Sequence, residues 1–137
     1  MYVRKSLLLL SVVTVSLFSC QEKKPDYFER EAREYTEKHC PEQVDALTRL
    51  DSLVFEKGTN GEVGTLNSYY TLTLTDELRA ELMNRLGELG DMNIKTIRNS
   101  VVLAKHKEAG VTFHYVYHDE ETGEKIAEYR FTPNDYK

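Results

Sequence analysis

The sequence predicts an α+β fold: a two-layer sandwich with a four-stranded antiparallel sheet in αββαββ order and helices on one face. Three observations carry this. Two stretches, each broken by a short turn, read as strand pairs by period-two alternation or, at Leu50 to Phe55, by β-branched and aromatic content. A helical stripe precedes each of them. Hairpins bury one face only, so the economical solution lays both helical stripes on the same side of one sheet. Residues 26–137 are long enough to bury a single core without metals or a dense disulfide framework, and they are read as one domain.

Asp26 is the expected N-cap of the first helix, in which Phe28, Ala32 and Tyr35 recur at helical spacing. Glu29/Arg33 and Glu34/Lys38 form i,i+4 pairs on its outer side. Pro41 disfavours helical geometry at Cys40 and should stop it. From Val44 the pattern is mixed until Leu50 to Phe55, whose β-branched and aromatic content reads as a strand. Asn60-Gly61 marks a hairpin, since both residues tolerate positive φ. The returning strand, Val63 to Leu74, places Leu66, Tyr70, Leu72 and Leu74 on one face and Asn67, Tyr69, Thr71 and Thr73 on the other.

Thr75 supplies a capping hydroxyl, and Leu78, Leu82, Leu86 and Leu89 make the apolar stripe of a helix that Gly87 and Gly90 should end or break. A further helical face through Ile97, Val101 and Ala104 is expected to break near Asn99 and Ser100 and to stop at Gly110. Val111 to His118 is the clearest strand, with Val111, Phe113, Tyr115 and Tyr117 against Thr112, His114, Val116 and His118. A turn containing Gly123 leads into Lys125 to Phe131, and Pro133-Asn134-Asp135 ends the sheet. Tyr70, Tyr115, Tyr117 and Tyr129 fall on the core face, where a ring is buried while its hydroxyl reaches the edge. The opposite, open face gathers Tyr69, Thr71, Thr73, His114, His118, Glu128 and Arg130, which form the candidate binding surface.

The N-terminus has a different character. Arg4 and Lys5 precede an apolar run from Leu7 to Phe18, closed by Ser19-Cys20 and followed by polar residues. The run is shorter than the ~20 residues a membrane span needs, and its layout is that of a secretory signal. Leu17-Phe18-Ser19-Cys20 resembles the lipobox of bacterial lipoproteins, in which the cysteine carries lipid and the peptide is cut before it. Phe18 departs from the small or branched residue usual at its place. The resemblance implies a signal peptide over 1–19, a lipidated Cys20 with a tether to residue 25, and a domain over 26–137 held at a membrane. The polar residues after Cys20, and Gly110 to Tyr117 with its closing hairpin, are similar to small uncharacterised envelope lipoproteins of the Bacteroidetes type. Gln21 stands where the inner-membrane retention signal of enteric bacteria has aspartate, which points to the outer membrane.

Without the first 19 residues, 16 basic and 23 acidic side chains leave a net charge of −7. That balance argues against nucleic acid as a partner and against peripheral binding to anionic lipid. Lys105 and Lys107 flank His106 as a local exception, read as a solvated face. Cys40 is expected as a buried, inert thiol, the alternative being a bridge to another chain. No catalytic signature is legible. His114 and His118 lie ~13 Å apart along a strand, too far for one metal ion. His39-Cys40 lacks an orienting partner for thiol catalysis, and Gly58, Gly61 and Gly64 precede a strand, not the helix of a phosphate loop. No cofactor and no metal are expected. The leading expectation is a non-enzymatic binding or accessory module for a protein or peptide partner; a hydrolase or inhibitor-type domain and a structural subunit of an envelope complex are the alternatives.

Overall fold

A computed structural model describes residues 22–137, so the expected signal peptide and Cys20 lie outside the described residues. Helix α1 (Lys24–His39) begins before the expected cap at Asp26. Pro25 fits the first turn because its missing N–H needs no partner there, and Asp26 instead supplies the negative charge that a helix start favours. Extended backbone at Cys40 ends the helix before a cis Cys40–Pro41 bond. Strands β1 (Glu42–Gln43), β2 (Thr48–Lys57) and β3 (Gly64–Leu72) follow, the last two joined by the expected turn, with Asn60 and Gly61 at φ 55° and 86°. Leu50 and Leu53 both face the core because a bulge at Asp51 inserts one residue between them, which is why this stretch shows no clean alternation.

Three helices then cross one face of the sheet: α2 (Asp76–Asn84), α3 (Leu86–Asn99) and α4 (Ala104–Ala109). The Thr75 hydroxyl accepts from the Leu78 N–H at 3.3 Å, the cap its sequence announces. Strands β4 (Thr112–Asp119) and β5 (Lys125–Phe131) complete the sheet, and a short α5 (Pro133–Tyr136) closes on a Thr132/Asp135 capping box.

The mixed α+β class and the single helical face stand; two details of the expected sheet do not. It has five strands in the order β1-β2-β3-β4-β5, and β3 and β4 run parallel. The reason is the connection between them. Residues 73–111 cross the helical face and bring the chain back to the end of the sheet where β3 began, as a parallel pair requires. The fifth strand, β1, is two residues long, too short to show a period.

The apolar stripe is also divided differently. The helix breaks at Arg85 (φ −123°, ψ 22°), and α3 runs through both Gly87 and Gly90. Gly90 is a close-approach position: a Cβ there would stand 2.8 Å from the Tyr129 ring, whose hydroxyl donates to the Leu86 carbonyl at 2.5 Å. Phe28 and Ala32 of α1, Ile97 of α3 and Tyr136 of α5 meet Phe55, Leu66, Phe113, Tyr115, Tyr117 and Ala127 of the sheet. Phe113, Ile97 and Val111 are fully enclosed, and burying each contributes roughly 1.5–3 kcal/mol. His106, read as part of a solvated face, is buried in this core, stacked on Phe28 at 4.4 Å, while Lys105 and Lys107 turn outward on the same helix. No helix among the described residues is long and apolar enough to cross a membrane.

Candidate functional site

The register of β2 to β5 places Tyr69, Thr71, His114, His118, Glu128 and Arg130 on the open face, with Thr73 just beyond β3. The structure brings some of them together. His114 lies between Asn67 and Glu128, its Nδ1 2.6 Å from Asn67 Oδ1 and its Nε2 2.6 Å from Glu128 Oε1. Asn67 donates its amide to the Val54 carbonyl at 3.1 Å, and Lys125 donates to Glu128. The Thr71 hydroxyl donates to Asp51 at 2.5 Å, and Asp51 also accepts from Arg49 at 2.7 Å. Thr73 donates to Glu120 at 2.6 Å. Tyr69 and His118 are half-buried and Arg130 is exposed. Polar groups of this face thus engage one another within the sheet, leaving few strong donors and acceptors free for a ligand.

The helical face is different. Helix α1 lies along β2, fixed by a two-way bond in which the Thr36 hydroxyl donates to the Leu53 carbonyl and accepts from the Leu53 N–H, both at 2.9 Å. The Arg85 break turns α2 and α3 over the other half of the same sheet face, where α2 buries no residue fully. Between these helical units the core face remains open as two cavities that share Tyr70, of about 560 and 270 Å³. Tyr70 stacks on Tyr117 at 5.0 Å and meets the edge of Tyr115 at 5.9 Å, so tyrosines make the floor. Burial pushes the phenols of Tyr70, Tyr115 and Tyr117 upward in pKa, and they stay protonated through the physiological range. Leu72, Leu74, Leu82 and Leu89 wall the larger cavity.

The mouth is apolar as well. Among the described residues, seven large apolar side chains are exposed, and only Val54 lies on the open sheet face. Val44, Leu47 and Met92 line the larger cavity and Val102 the smaller; Met83 and Val101 adjoin lining residues in sequence. Met92 is 65% and Val102 86% exposed. These side chains place apolar surface at the mouth of the cleft, and the unbranched methionine is the most adaptable of them in shape. Asp45, Glu81 and Glu88 stand at the larger cavity against one cation, Arg85, which is bound to both glutamates.

Sequence reasoning placed the tyrosines on the core face correctly but not the cleft above them. A signal was available: Val44, Leu47, Met83, Met92, Val101 and Val102 are apolar residues outside the stripes that the core uses. Cys40 is a free, half-buried thiol whose pKa burial raises.

The profile of a family described as a domain of unknown function (DUF8479) matches residues 23–127. No curated protein sequence matches the chain. Among solved structures, a Pseudomonas aeruginosa protein assigned as secreted superposes with a TM-score of 0.64 at 9% identity, over 85% of this chain and 99% of its own. The pilotin EpsS of the Vibrio vulnificus type 2 secretion system superposes with a TM-score of 0.56 at 7% identity, over 83% of this chain and 92% of its own. At such identities the likeness is one of fold.

Proposed function

We propose that this chain, which belongs to the family of domains described as DUF8479, is an envelope-tethered accessory module that holds an amphipathic segment of a protein partner in its tyrosine-floored cleft. The observation that carries the reading is the continuity of the apolar floor with the exposed Val44, Leu47, Met92 and Val102 at the mouth. Tyrosine is a favoured contact residue at interfaces, and a groove of this size admits the apolar face of a peptide. The acidic rim favours a segment with basic flanks. A fold shared with a protein assigned as secreted and with a secretion pilotin agrees with a role in the envelope.

The polarity of the domain fits a tether at Cys20. Helix α1 starts beside Lys57 at the far end of β2, where the Lys57 ammonium pairs with Asp26 at 2.7 Å and Glu29 at 2.9 Å. The larger cavity is lined by Thr48 and Leu72, at the other end of the same strands. A ten-residue strand spans ~33 Å. In this reading a lipid at the twentieth residue, on the outer membrane, holds the α1 start near the bilayer and leaves the larger cavity at the opposite end of β2.

Co-purification from detergent-solubilised membranes tests the assignment. A partner retained by the wild type should be lost with Met92→Glu or Leu47→Glu and kept when Glu128 and Arg130 are reversed in charge. The opposite pattern would move the binding surface to the open face of the sheet. Labelling with a clickable fatty acid, absent in Cys20→Ala, tests the anchor.

A further inference from the structure

We propose that the smaller cavity is a receptor for one cationic side chain, an alkylammonium or alkylguanidinium carried by the segment that fills the cleft; the proposal rests on that reading of the cleft. Three buried side-chain polar atoms have no hydrogen-bond partner among the described residues: Glu31 Oε2, His106 Nδ1 and Asn93 Nδ2. Glu31 and His106 line the smaller cavity and Asn93 the larger. Buried polar groups are normally satisfied, so orphans gathered along one cleft describe what its occupant must supply.

The chemistry of the smaller cavity is one-sided. His106 Nε2 stands 3.4 Å from Glu31 Oε2, and burial holds the imidazole below its ordinary pKa, hence neutral at pH 7. Its proton belongs on Nε2, because a lone pair there would face the carboxylate oxygen. Nδ1 is then a bare acceptor. Glu31 has no lysine or arginine partner among the described residues: Lys105 sits over the Tyr27 ring at 5.6 Å, and Arg30 is held by Glu22 and Glu34. A carboxylate, its side chain 44% exposed, and a buried neutral imidazole therefore line the cavity beside the aromatic walls of Tyr35, Tyr70, Phe113 and Tyr115. An anion would meet the charge of Glu31, and an apolar group would leave the carboxylate without a cation and His106 Nδ1 without a donor. A cation on an alkyl stem donates to both and gains the aromatic faces. At about 270 Å³ the cavity falls below the ~300–1,000 Å³ of sites for whole ligands and suits a single side chain. In the larger cavity, the free Asn93 amide N–H suits a backbone carbonyl of the same segment.

The test uses the full chain, ¹⁵N-labelled and held in detergent micelles, titrated with n-butylguanidinium, n-butylammonium and the neutral 1-pentanol. Concentrations reach roughly 10 mM, enough to saturate a ~1 mM site. Saturable shifts at the His106 ring and the Phe113 and Tyr115 amides are expected with either cation and not with pentanol. Glu31→Gln should weaken cation binding about tenfold or more, while Glu124→Gln, exposed in the β4–β5 turn and outside both cavities, leaves it unchanged. Equal response to pentanol, unchanged affinity in Glu31→Gln, or no saturable shift would overturn the proposal. Should Glu31→Gln lose the folded spectrum, the wild-type comparison of cation with pentanol still decides. Failure here leaves the cleft assignment standing, since co-purification through Met92 and Leu47 tests that separately.

Discussion

Gly87 and Gly90 sit three residues apart in one helix, and replacing each by alanine should move stability in opposite directions. In a helix interior, alanine is favoured over glycine by ~0.8–1 kcal/mol, less near an end. A Cβ at Gly87 meets nothing within 4 Å, so Gly87→Ala should stabilise by about 0.5 kcal/mol. At Gly90 the same Cβ would stand 2.8 Å and 3.0 Å from two atoms of the Tyr129 ring. That ring is not free to yield: its hydroxyl holds the Leu86 carbonyl at 2.5 Å, and it stacks parallel on Phe131. Overpacking of this kind costs roughly 1–3 kcal/mol, so Gly90→Ala should destabilise by about 1 kcal/mol net. Thermal unfolding should separate the two variants by roughly 5 °C, the Gly87 variant above wild type and the Gly90 variant below it. Repeating Gly90→Ala in a Tyr129→Phe background removes the bond that pins the ring, and the penalty should shrink by about 0.5–1 kcal/mol. A Gly90→Ala protein as stable as Gly87→Ala, or a penalty indifferent to Tyr129→Phe, would refute the packing argument.

Other consequences follow from the open face and the buried charges. Asn67→Ala removes the buried link between His114 and the Val54 carbonyl and should cost about 1–3 kcal/mol in chemical denaturation. Burial depresses the pKa of His106, so the unfolded chain takes up its proton first. Stability should be undiminished above the unfolded value of ~6.5 and fall as pH drops below it, and His106→Gln should flatten that part of the profile. The Arg79 guanidinium holds the Asp119 carboxyl below its usual range. This contribution is present above the unfolded value of ~3.9 and lost on acidification below it, so Arg79→Gln should raise the midpoint pH of acid unfolding.

What the residues disclosed on their own followed from period. Phe113, Tyr115 and Tyr117 alternate with His114, Val116 and His118, and that fixed both faces of β4 before any partner strand was known. The same alternation is blind to direction, since a parallel and an antiparallel neighbour demand the same in-and-out pattern. Only the length of the 73–111 connection distinguishes a crossover from a turn. Glycine misled for a related reason: the helical position 90 is glycine because a ring from β5, distant in sequence, occupies the space of a Cβ. His106 was hidden between two lysines, although successive residues on a helix point ~100° apart and one can be buried while its neighbours are solvated. Of the seven open-face candidates, His114 and Glu128 meet directly, and the pair is flanked by Asn67 and Lys125, which alternation alone could not join to them. The cleft depends on where α2 and α3 turn at Arg85 relative to α1, a tertiary fact with no local period.

The central claim, that the cleft and not the open sheet is the contact surface, is tested most directly by site-specific photo-crosslinking in intact cells. A photoreactive residue at Met92 or Leu47 should yield a discrete adduct with one partner protein, and the same residue at Thr71 or Arg130 should yield none. Adducts from Thr71 and Arg130, with Met92 and Leu47 silent, would contradict it.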